Sequence, residues 1–303
     1  MSEHPRHIAI VALRRSGTTT VWRLLRQDRR YRCYDEPFSR LLGDLPAEGR
    51  KQVRAEFIEL FNRNPEEFRA AYAPILRSQE TTRAMTSAQK SYLRFLAAEM
   101  PIVFDETRCM GKIAELKDVL PEAVLVHLYR HPAAFATSHL QPTDGHKFRG
   151  LRALLNRRPF FDRASGYNGW GMEELSRTEH VETTRALLAE VGVALPPRTT
   201  RIPAAQRLLA LWLGAYRLAE GEGPRHFGTR FVSLAFESLC ADPSAGLAAI
   251  YAPAGVPPCS IDVSGVRPAA PGFAVDDPRW RSLAAEAGFD AGELARFFPK
   301  VQA

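Results

Sequence analysis

A run of arginine, small and hydroxyl-bearing residues stands near the amino terminus of this 303-residue chain. It reads Ala12-Leu-Arg-Arg-Ser-Gly-Thr-Thr19 and overlies the phosphate-loop pattern G-x-x-x-x-G-K-[ST], with Thr18 in the place of the lysine. Gly17 permits a tight turn, and we expect the amides of Ser16 to Thr19 to face an anion at a helix N-terminus. Because the lysine that reaches β- and γ-phosphates is missing, Arg15 has to supply the positive charge. The loop therefore favours a nucleotide with fewer phosphates than a triphosphate, although an ordinary strand-to-helix turn would use similar residues.

A second group of phosphate-binding residue types follows a later apolar run. Tyr129-Arg-His-Pro132 ends that run, and Ser138 lies on the helix predicted after it. An arginine at a strand end and a hydroxyl on the next helix can bind one phosphate at the same edge as the first loop. The alternative is that Arg130 only covers the sheet edge and that Ser138 is solvated. Two such phosphate sites would suit a nucleotide that is phosphorylated in two places.

Both groups stand at the ends of predicted strands. The apolar run His7–Leu13 predicts a buried parallel strand, and 18–26 predicts the helix after it. Further strands are predicted at 31–34, 101–105, 123–129 and 230–235, and further helices within 48–100 and at 132–140, 204–219 and 243–252. Strands that alternate with helices predict an α/β fold, a P-loop-like parallel sheet flanked by helices, with a helical or irregular insertion. Ligands of such sheets lie beyond the carboxyl ends of the strands.

The length of the chain suits one large α/β domain. We predict a single domain whose core covers about 7–140 and 204–256. Residues 141–203 are the least regular stretch and predict an insertion or lid, and residues 257–303 form a C-terminal tail.

Composition excludes several classes of protein. With 45% apolar and 25% charged residues, the chain is not disordered, collagen-like or a coiled coil. The net charge of +7 is nearly all arginine, the residue that binds phosphate in a bidentate manner. Four cysteines lie far apart without a C-x-x-C pair, which indicates neither a zinc site nor a disulfide framework: Cys33, Cys109, Cys240 and Cys259. The apolar stretch 7–13 is too short for a signal peptide or a membrane span, so a cytoplasmic location is expected.

Two of these segments resemble nucleotide-binding motifs of the sulfotransferases. Arg14–Thr19 resembles their phosphosulfate-binding loop. Val126–Pro132 with Ser138 is similar to their 3′-phosphate motif, R-[DN]-P-x-x-x-x-x-S. The order and spacing of the two motifs along the chain also agree.

Two further segments extend the resemblance. Phe236-Glu-Ser-Leu239 with Asp242-Pro243 is similar to the Y-E-[DS]-L…D-P segment of bacterial and carbohydrate sulfotransferases. Val103–Thr107 stands where that group often has an E-K-T stretch. Together the motifs span about residues 7–256, which is most of the chain.

The resemblance implies a sulfotransferase that uses 3′-phosphoadenosine 5′-phosphosulfate (PAPS), releases PAP and needs no metal. Six loop residues would then bind the 5′-phosphosulfate: Arg14, Arg15, Ser16, Gly17, Thr18 and Thr19. Arg15 would also be catalytic, because with the loop amides it stabilises charge on the departing oxygen. Arg130 and Ser138 would bind the 3′-phosphate and so position the cofactor.

The chain departs from the family pattern at three places. His131 replaces the usual acidic residue or asparagine, and Arg15 stands where cytosolic animal members carry lysine. The segment nearest to the C-terminal R-K-G of many animal members is Arg267–Gly272.

Sulfation of a hydroxyl calls for a general base, because the hydroxyl is a poor nucleophile. Glu36 lies just after the second predicted strand and resembles the glutamate base of several carbohydrate sulfotransferases. Alternatively, Glu36 forms an ion pair with a nearby arginine such as Arg14 or Arg40. Asp105 and Glu106, after the third predicted strand, are the rival candidates.

Histidines are weaker candidates for the base. His139 and His146 are such candidates, although a histidine near a helix end more often has a structural role, and His127 is expected to be packed within the sheet.

The acceptor is expected to be a soluble small molecule, with no nucleic-acid or membrane partner, and a homodimer is left open. A sugar hydroxyl, a phenol, a lipid-linked alcohol and an amine all fit. The predicted insertion carries an aromatic set that would line the acceptor pocket or form the core of the insertion: Phe148, Phe160, Phe161, Tyr167 and Trp170. Trp212 and Tyr216, one helical turn apart, are expected in the core.

Three other functions remain open at this point. A P-loop small-molecule kinase is disfavoured by the missing lysine and by the lack of a clear metal-binding aspartate after an apolar strand. A basic nucleic-acid-binding protein is favoured only by charge, since the arginines are spread among acidic residues. A nucleotide sensor without catalysis also fits the motifs.

Overall fold

The computed structural model describes residues 5–45, 55–140, 178–196, 202–267, 275 and 277–299. Its strands are β1 Ile8–Val11, β2 Arg32–Asp35, β3 Ile102–Glu106, β4 Val124–Tyr129 and β5 Phe231–Ala235. Its helices are α1 Thr18–Leu25, α2 Ala55–Arg63, α3 Pro65–Ala71, α4 Ser87–Leu96, α5 Ile113–Val119, α6 Pro132–Leu140, α7 Thr178–Ala189, α8 Ala204–Phe227, α9 Phe236–Ala241, α10 Pro243–Ala254, α11 Pro278–Glu286 and α12 Ala291–Phe297.

Contacts divide the chain into two units. The first comprises Met1–Tyr129 and Ala219–Pro268, and the second comprises Arg130–Leu218 and Ala269–Ala303. The prediction of a single domain stays a prediction. No helix within the described ranges is both long enough and apolar enough to cross a membrane.

The first unit contains a parallel sheet. Within the described residues it has five strands in the order β2-β3-β1-β4-β5, and every pairing is parallel. In this register Ile10 lies beside Asp105 of β3 and beside Val126 of β4. The predicted α/β fold with a parallel sheet flanked by helices is confirmed. The strand order changes direction at β1, and ligands of such sheets bind at the carboxyl ends beside this point.

Both faces of the sheet are covered, which explains why its strands are almost continuous apolar runs. One face packs against helices α2 to α5 and includes Ala9, Val11, Tyr34, Phe104 and Leu125. The other face packs against α1, α9 and α10 and includes Ile8, Ile10, Cys33, Val103 and Val126.

An aromatic cluster forms the core of the second unit. Trp212 stacks on Tyr216 at a centroid distance of 5.0 Å and meets Phe297 edge-on at 4.9 Å. The expectation that Trp212 and Tyr216 are core residues is therefore confirmed. The aromatic set predicted for the insertion lies outside the described residues: Phe148, Phe160, Phe161, Tyr167 and Trp170. Of Arg267–Gly272, only Arg267 is described.

Helix α8 is longer than the predicted 204–219, since it continues to Phe227. Glycine is a poor helix former, so Gly221 and Gly223 make the predicted helix end too early. Gly223 has a packing reason, because a Cβ there would lie 2.2 Å from the ring of Phe231. The glycine lets the start of β5 approach the helix.

Candidate active site

The chain turns sharply between β1 and α1. Arg15 and Gly17 both have left-handed backbone, with φ of 72° and 97°. A Cβ on residue 17 would lie 2.3 Å from the ring of Phe236, so only glycine satisfies both the backbone and the packing. A non-glycine residue in this region costs about 1–3 kcal/mol and is typical of functional sites. The strain at Arg15 therefore points to a role for this turn.

The turn has the features of an anion site. The amides of residues 17–19 stand in the first turn of α1, where no preceding helical carbonyl accepts them and the helix dipole is positive. Arg15 is exposed beside them. Ser16 is buried, and its amide donates to the Leu13 carbonyl oxygen at 3.3 Å. That amide, expected to face an anion, is thus used to close the turn.

Arg14 binds a carboxylate of the protein itself. Its Nη1 and Nη2 donate to both carboxylate oxygens of Glu80 at 2.9 to 3.1 Å. Glu80 is buried, and a bidentate guanidinium–carboxylate pair is among the stronger hydrogen-bonded contacts in proteins. Arg14 was predicted to bind the cofactor, and this contact gives it a further task, which is to fix the loop.

Lys112 holds the segment that follows Glu80. Its side chain is fully buried, and its Nζ donates to the Thr82 carbonyl at 2.6 Å, the Thr82 hydroxyl at 3.1 Å and the Ala84 carbonyl at 3.2 Å. Burial lowers the pKa of Lys112. Sequence reasoning missed both Glu80 and Lys112, because neither lies in a motif or beside a predicted strand end.

Glu36 lies directly after β2 and has left-handed backbone, with a φ of 51°. Its Oε2 accepts a hydrogen bond from Arg108 Nη2 at 3.0 Å, and its Oε1 accepts one from the Thr107 hydroxyl at 3.1 Å. The arginine partner is therefore Arg108 rather than Arg14 or Arg40. The Glu36 side chain keeps 33% of its surface exposed, so an acceptor can reach it.

The Glu106 carboxylate accepts four hydrogen bonds from described residues. Its carboxylate accepts the backbone amides of Phe38 at 3.0 Å, Thr107 at 2.9 Å and Arg108 at 3.1 Å, and also Arg108 Nη1 at 2.8 Å. The side chain has no exposed surface. Burial raises the pKa of Glu106, and Arg108 partly offsets this. Such a saturated, inaccessible carboxylate ties the ends of β2 and β3 together.

Asp105 is a buried carboxyl beneath the loop. Neither of its oxygens has a hydrogen bond of normal geometry to a described residue, although the Thr18 hydroxyl is close enough to lower its pKa. Burial raises the pKa of Asp105 well above its usual range, and the Asp35 and Glu36 carboxylates raise it further. The folded chain therefore holds the Asp105 proton to a higher pH than the unfolded chain does.

The kinase alternative depends on an aspartate that could bind a metal after an apolar strand. Asp105 stands at such a place, since β3 reads Ile-Val-Phe-Asp-Glu, but its side chain is fully buried. The missing loop lysine remains the argument against a kinase. Within the described ranges, no group of three or more His, Cys, Asp or Glu side chains is placed to hold a metal ion.

Arg130 and Ser138 belong to the second unit, whereas the loop belongs to the first. Arg130 follows β4 directly and is buried, and its carbonyl oxygen accepts a hydrogen bond from Trp212 Nε1 at 2.8 Å. The Ser138 hydroxyl donates to the Phe135 carbonyl at 2.7 Å. The binding of one phosphate by Arg130 and Ser138 stays a prediction.

His131 caps the start of α6, as the residue that it replaces in the family motif would. Its Nδ1 accepts a hydrogen bond from the Ala133 amide at 3.3 Å, in the first turn of α6. Its Nε2 lies 2.7 Å from the Phe297 carbonyl oxygen, which can only accept, so Nε2 carries the proton. An aspartate or asparagine here would cap the helix in the same way. The departure from the family motif therefore preserves the start of α6.

Other motif residues have structural contacts. Asp242 accepts the Ala245 amide at 2.9 Å and so caps α10, whose first residue is Pro243. His127 is buried in β4, as expected, with Nδ1 3.0 Å from the Glu220 carboxylate.

The two weaker histidine candidates differ. His139 is buried against Phe135, and His146 lies outside the described residues.

The family model for the sulfotransferase family matches residues 5–165, just over half of the chain. The chain belongs to the sulfotransferase family. It is accordingly an enzyme of sulfuryl transfer. None of the curated proteins is similar to this sulfotransferase.

Several solved structures are similar to this sulfotransferase at low identity. A sulfotransferase from Alicyclobacillus acidocaldarius is 16% identical with a TM-score of 0.44, over 98% of this chain and 97% of that one. A sulfotransferase domain from the curacin biosynthetic pathway is 16% identical with a TM-score of 0.44, over 84% and 76%. A sulfotransferase from Mycobacterium avium is 15% identical with a TM-score of 0.42, over 99% and 74%.

Gly17→Ala tests the turn. We expect a loss of unfolding free energy of about 1–3 kcal/mol from the left-handed backbone, with the clash against Phe236 in addition. Gly221→Ala is the matched control, because its Cβ meets nothing within 4 Å and it should stabilise helix α8 by about 0.5–1 kcal/mol. Urea unfolding measures both changes. A Gly17→Ala variant as stable as the wild type would contradict this account of the turn.

Asp105→Asn tests the buried acid. As the pH rises above about 4, the unfolded chain releases the Asp105 proton while the folded chain keeps it, so the wild type loses up to about 1.4 kcal/mol of unfolding free energy per pH unit. Asparagine does not titrate, so the variant escapes this loss. Urea unfolding of both proteins at about pH 4.5 and about pH 7.5 should show the variant gaining relative stability at the higher pH. A difference that is equal at both pH values would refute the assignment.

Proposed function

We propose that this sulfotransferase transfers the sulfuryl group of PAPS to a hydroxyl or amine of a small-molecule acceptor in the cytoplasm. The observation that carries the proposal is the loop after β1, in which an exposed arginine and the amides of residues 17–19 stand at the N-terminus of α1. These donors suit the 5′-phosphosulfate of PAPS, because they offer fixed positive charge without a lysine aimed at γ-phosphate.

The loop residues stabilise developing charge. PAPS supplies an activated sulfuryl group: a new S–O or S–N bond forms to the acceptor as the S–O bond to the 5′-phosphate breaks. Transfer of this kind is in line with a loose transition state, and negative charge grows on the departing oxygen. Arg15 and the amides of residues 17–19 stabilise that charge. Arg14, bound to Glu80, keeps the loop in place for this task.

Glu36 takes the acceptor proton. Its carboxylate is partly exposed and is held by two donors, whereas Glu106 is saturated and inaccessible. Asp105 is fully buried, so an acceptor does not reach it. These contrasts favour Glu36 over Asp105 and Glu106 as the general base, a role worth roughly 10²–10⁴-fold in rate.

Arg130 and Ser138 bind the 3′-phosphate in this proposal. Ser138 has to exchange its hydrogen bond to the Phe135 carbonyl for one to the phosphate, since a hydroxyl has a single proton to donate. Neither residue touches the reacting atoms, so both position the cofactor. A small-molecule acceptor is the partner that we propose, without a metal, nucleic acid or membrane, and a homodimer stays open.

Incubation with sulfur-labelled PAPS and a panel of acceptors tests the function directly. The panel contains sugars, phenols, lipid-like alcohols and amines, each with and without the enzyme. We expect label to move to at least one class while PAP accumulates in equal amount. If no acceptor is labelled and no PAP forms, the proposal is wrong.

Glu36→Gln tests the base. The amide keeps the shape of the side chain but cannot take a proton, so turnover should fall at least about tenfold. Binding of PAP, measured by calorimetry, should stay at the wild-type level. Glu59→Gln, on the exposed side of α2, is the matched control and should leave turnover unchanged. Near-wild-type turnover of Glu36→Gln would show that Glu36 is not the base.

Arg130→Ala tests the division of labour between binding and chemistry. The KM for PAPS should rise far more than turnover at saturating PAPS falls, because the 3′-phosphate does not react. Arg279→Ala is the matched control, since Arg279 is an exposed arginine of the same unit. Steady-state kinetics with varied PAPS give both constants. A fall in turnover with an unchanged KM would refute the assignment.

A further inference from the structure

Arg108 lies among three carboxylates and is itself largely buried, with 12% of its side chain exposed. Its Nη1 donates to Glu106 at 2.8 Å and its Nη2 donates to Glu36 at 3.0 Å. Its Nε lies 3.8 Å from Glu80, the carboxylate that binds Arg14. Burial lowers the pKa of Arg108, but the Glu106 and Glu36 charges outweigh this and raise it, so the guanidinium stays charged. No sequence motif contains this residue.

The three carboxylates differ in what else holds them. Glu106 accepts three backbone amides in addition to Arg108, so it is a fixed anchor for Nη1. Glu80 is occupied by the guanidinium of Arg14. Glu36 has only the Thr107 hydroxyl as a second hydrogen-bond donor among the described residues, and its exposure of 33% compares with 7% for Glu80 and none for Glu106. The planar guanidinium of Arg108 is fixed by its hydrogen bond to the buried Glu106. It therefore fixes the orientation of the exposed Glu36 carboxylate.

We propose that Arg108 is the positioning residue of the general base: it holds the Glu36 carboxylate aimed at the acceptor, and Glu80 links it to Arg14 of the loop. This inference rests on the proposed function, in which Glu36 takes the acceptor proton. Arg108 does not touch the reacting atoms. It acts through the orientation of the Glu36 carboxylate, because the same guanidinium is fixed by Glu106.

Loss of Arg108 removes the group that fixes the direction of the Glu36 carboxylate. The Thr107 hydroxyl then remains as its hydrogen-bond donor among the described residues. Small misplacements of a catalytic group cost about 10²-fold in rate. Turnover should therefore fall, and it should fall only in an enzyme that still carries the Glu36 carboxylate.

The experiment compares Arg108→Gln, Arg108→Lys and the wild type in turnover at saturating PAPS, each with and without Glu36→Gln. For Arg108→Gln we expect turnover to fall about tenfold or more. Arg108→Lys keeps the charge but not the planar guanidinium, so turnover should still fall. In the Glu36→Gln background neither substitution should lower turnover further, because Arg108 acts through Glu36. The KM for PAPS should change little in both variants, because the loop amides and Arg15 are retained.

Arg63→Gln is the matched control, since Arg63 also binds a carboxylate, Glu99, but at an exposed site. It should leave turnover unchanged. If Arg108→Gln does not fold, Arg108→Lys and Thr107→Val, which removes the other donor to Glu36, carry the test in the same two backgrounds.

Two results would overturn the inference. Wild-type turnover in Arg108→Lys, or an equal fall in Arg108→Gln with and without Glu36→Gln, shows that Arg108 does not position the base. A wild-type enzyme that neither binds PAP nor transfers sulfur label overturns the proposed function itself, and this inference with it.

Discussion

The turn between β1 and α1 is the constraint on which the rest of the site depends. The chain leaves a buried parallel strand and starts a helix within a few residues, and it does so with left-handed backbone at Arg15 and Gly17. The ring of Phe236 closes over Gly17, so no side chain fits there. This geometry places the first amides of α1 and the exposed Arg15 just after the carboxyl end of β1. An anion site follows from the backbone before any side-chain chemistry is considered.

Buried charge holds the surroundings of this turn in place. Arg14 is tied to Glu80, and Arg108 joins Glu106 to Glu36, so two arginines connect the loop and the ends of β2 and β3. A buried ion pair contributes little net stability, but removing one partner leaves a costly unpaired charge. The contribution of such a network is therefore mainly to fix one arrangement. In the mechanism proposed above, that arrangement sets the direction of Glu36 relative to the departing group.

Much of the fold and part of the site follow from the sequence because their signals are local. Apolar runs, glycine turns and the proline at 132 predict the five strands and helices α1, α6 and α10 to within a few residues, whereas α5, α7 and α9 lie outside the predicted helices and α8 ends later than predicted. Glu36 and Arg15 are found because each follows a strand end. Arg108 was not predicted, although it lies only two residues beyond Glu106 at the end of β3. Glu80 has no such signal, because its pairing with Arg14 depends on how an irregular segment folds back.

The role of His131 also depends on a contact that is distant in the sequence. A pattern that expects an acidic residue or asparagine cannot reveal that a histidine nitrogen accepts the same backbone amide, because this depends on the Phe297 carbonyl fixing the tautomer. Asp105 is the opposite case. Its place after an apolar strand is visible in the sequence, but its raised pKa comes from burial without good hydrogen bonds, which only the structure shows.

The central claim is that the loop after β1 belongs to a site for a doubly phosphorylated adenosine rather than for a triphosphate. Calorimetric titration of the full chain with PAP and with ATP–Mg²⁺, in the same buffer and at the same ionic strength, tests it most directly. The account predicts that PAP binds with a stoichiometry of one and that ATP–Mg²⁺ binds far more weakly and is displaced by PAP. Tight binding of ATP–Mg²⁺ with no measurable binding of PAP would contradict it.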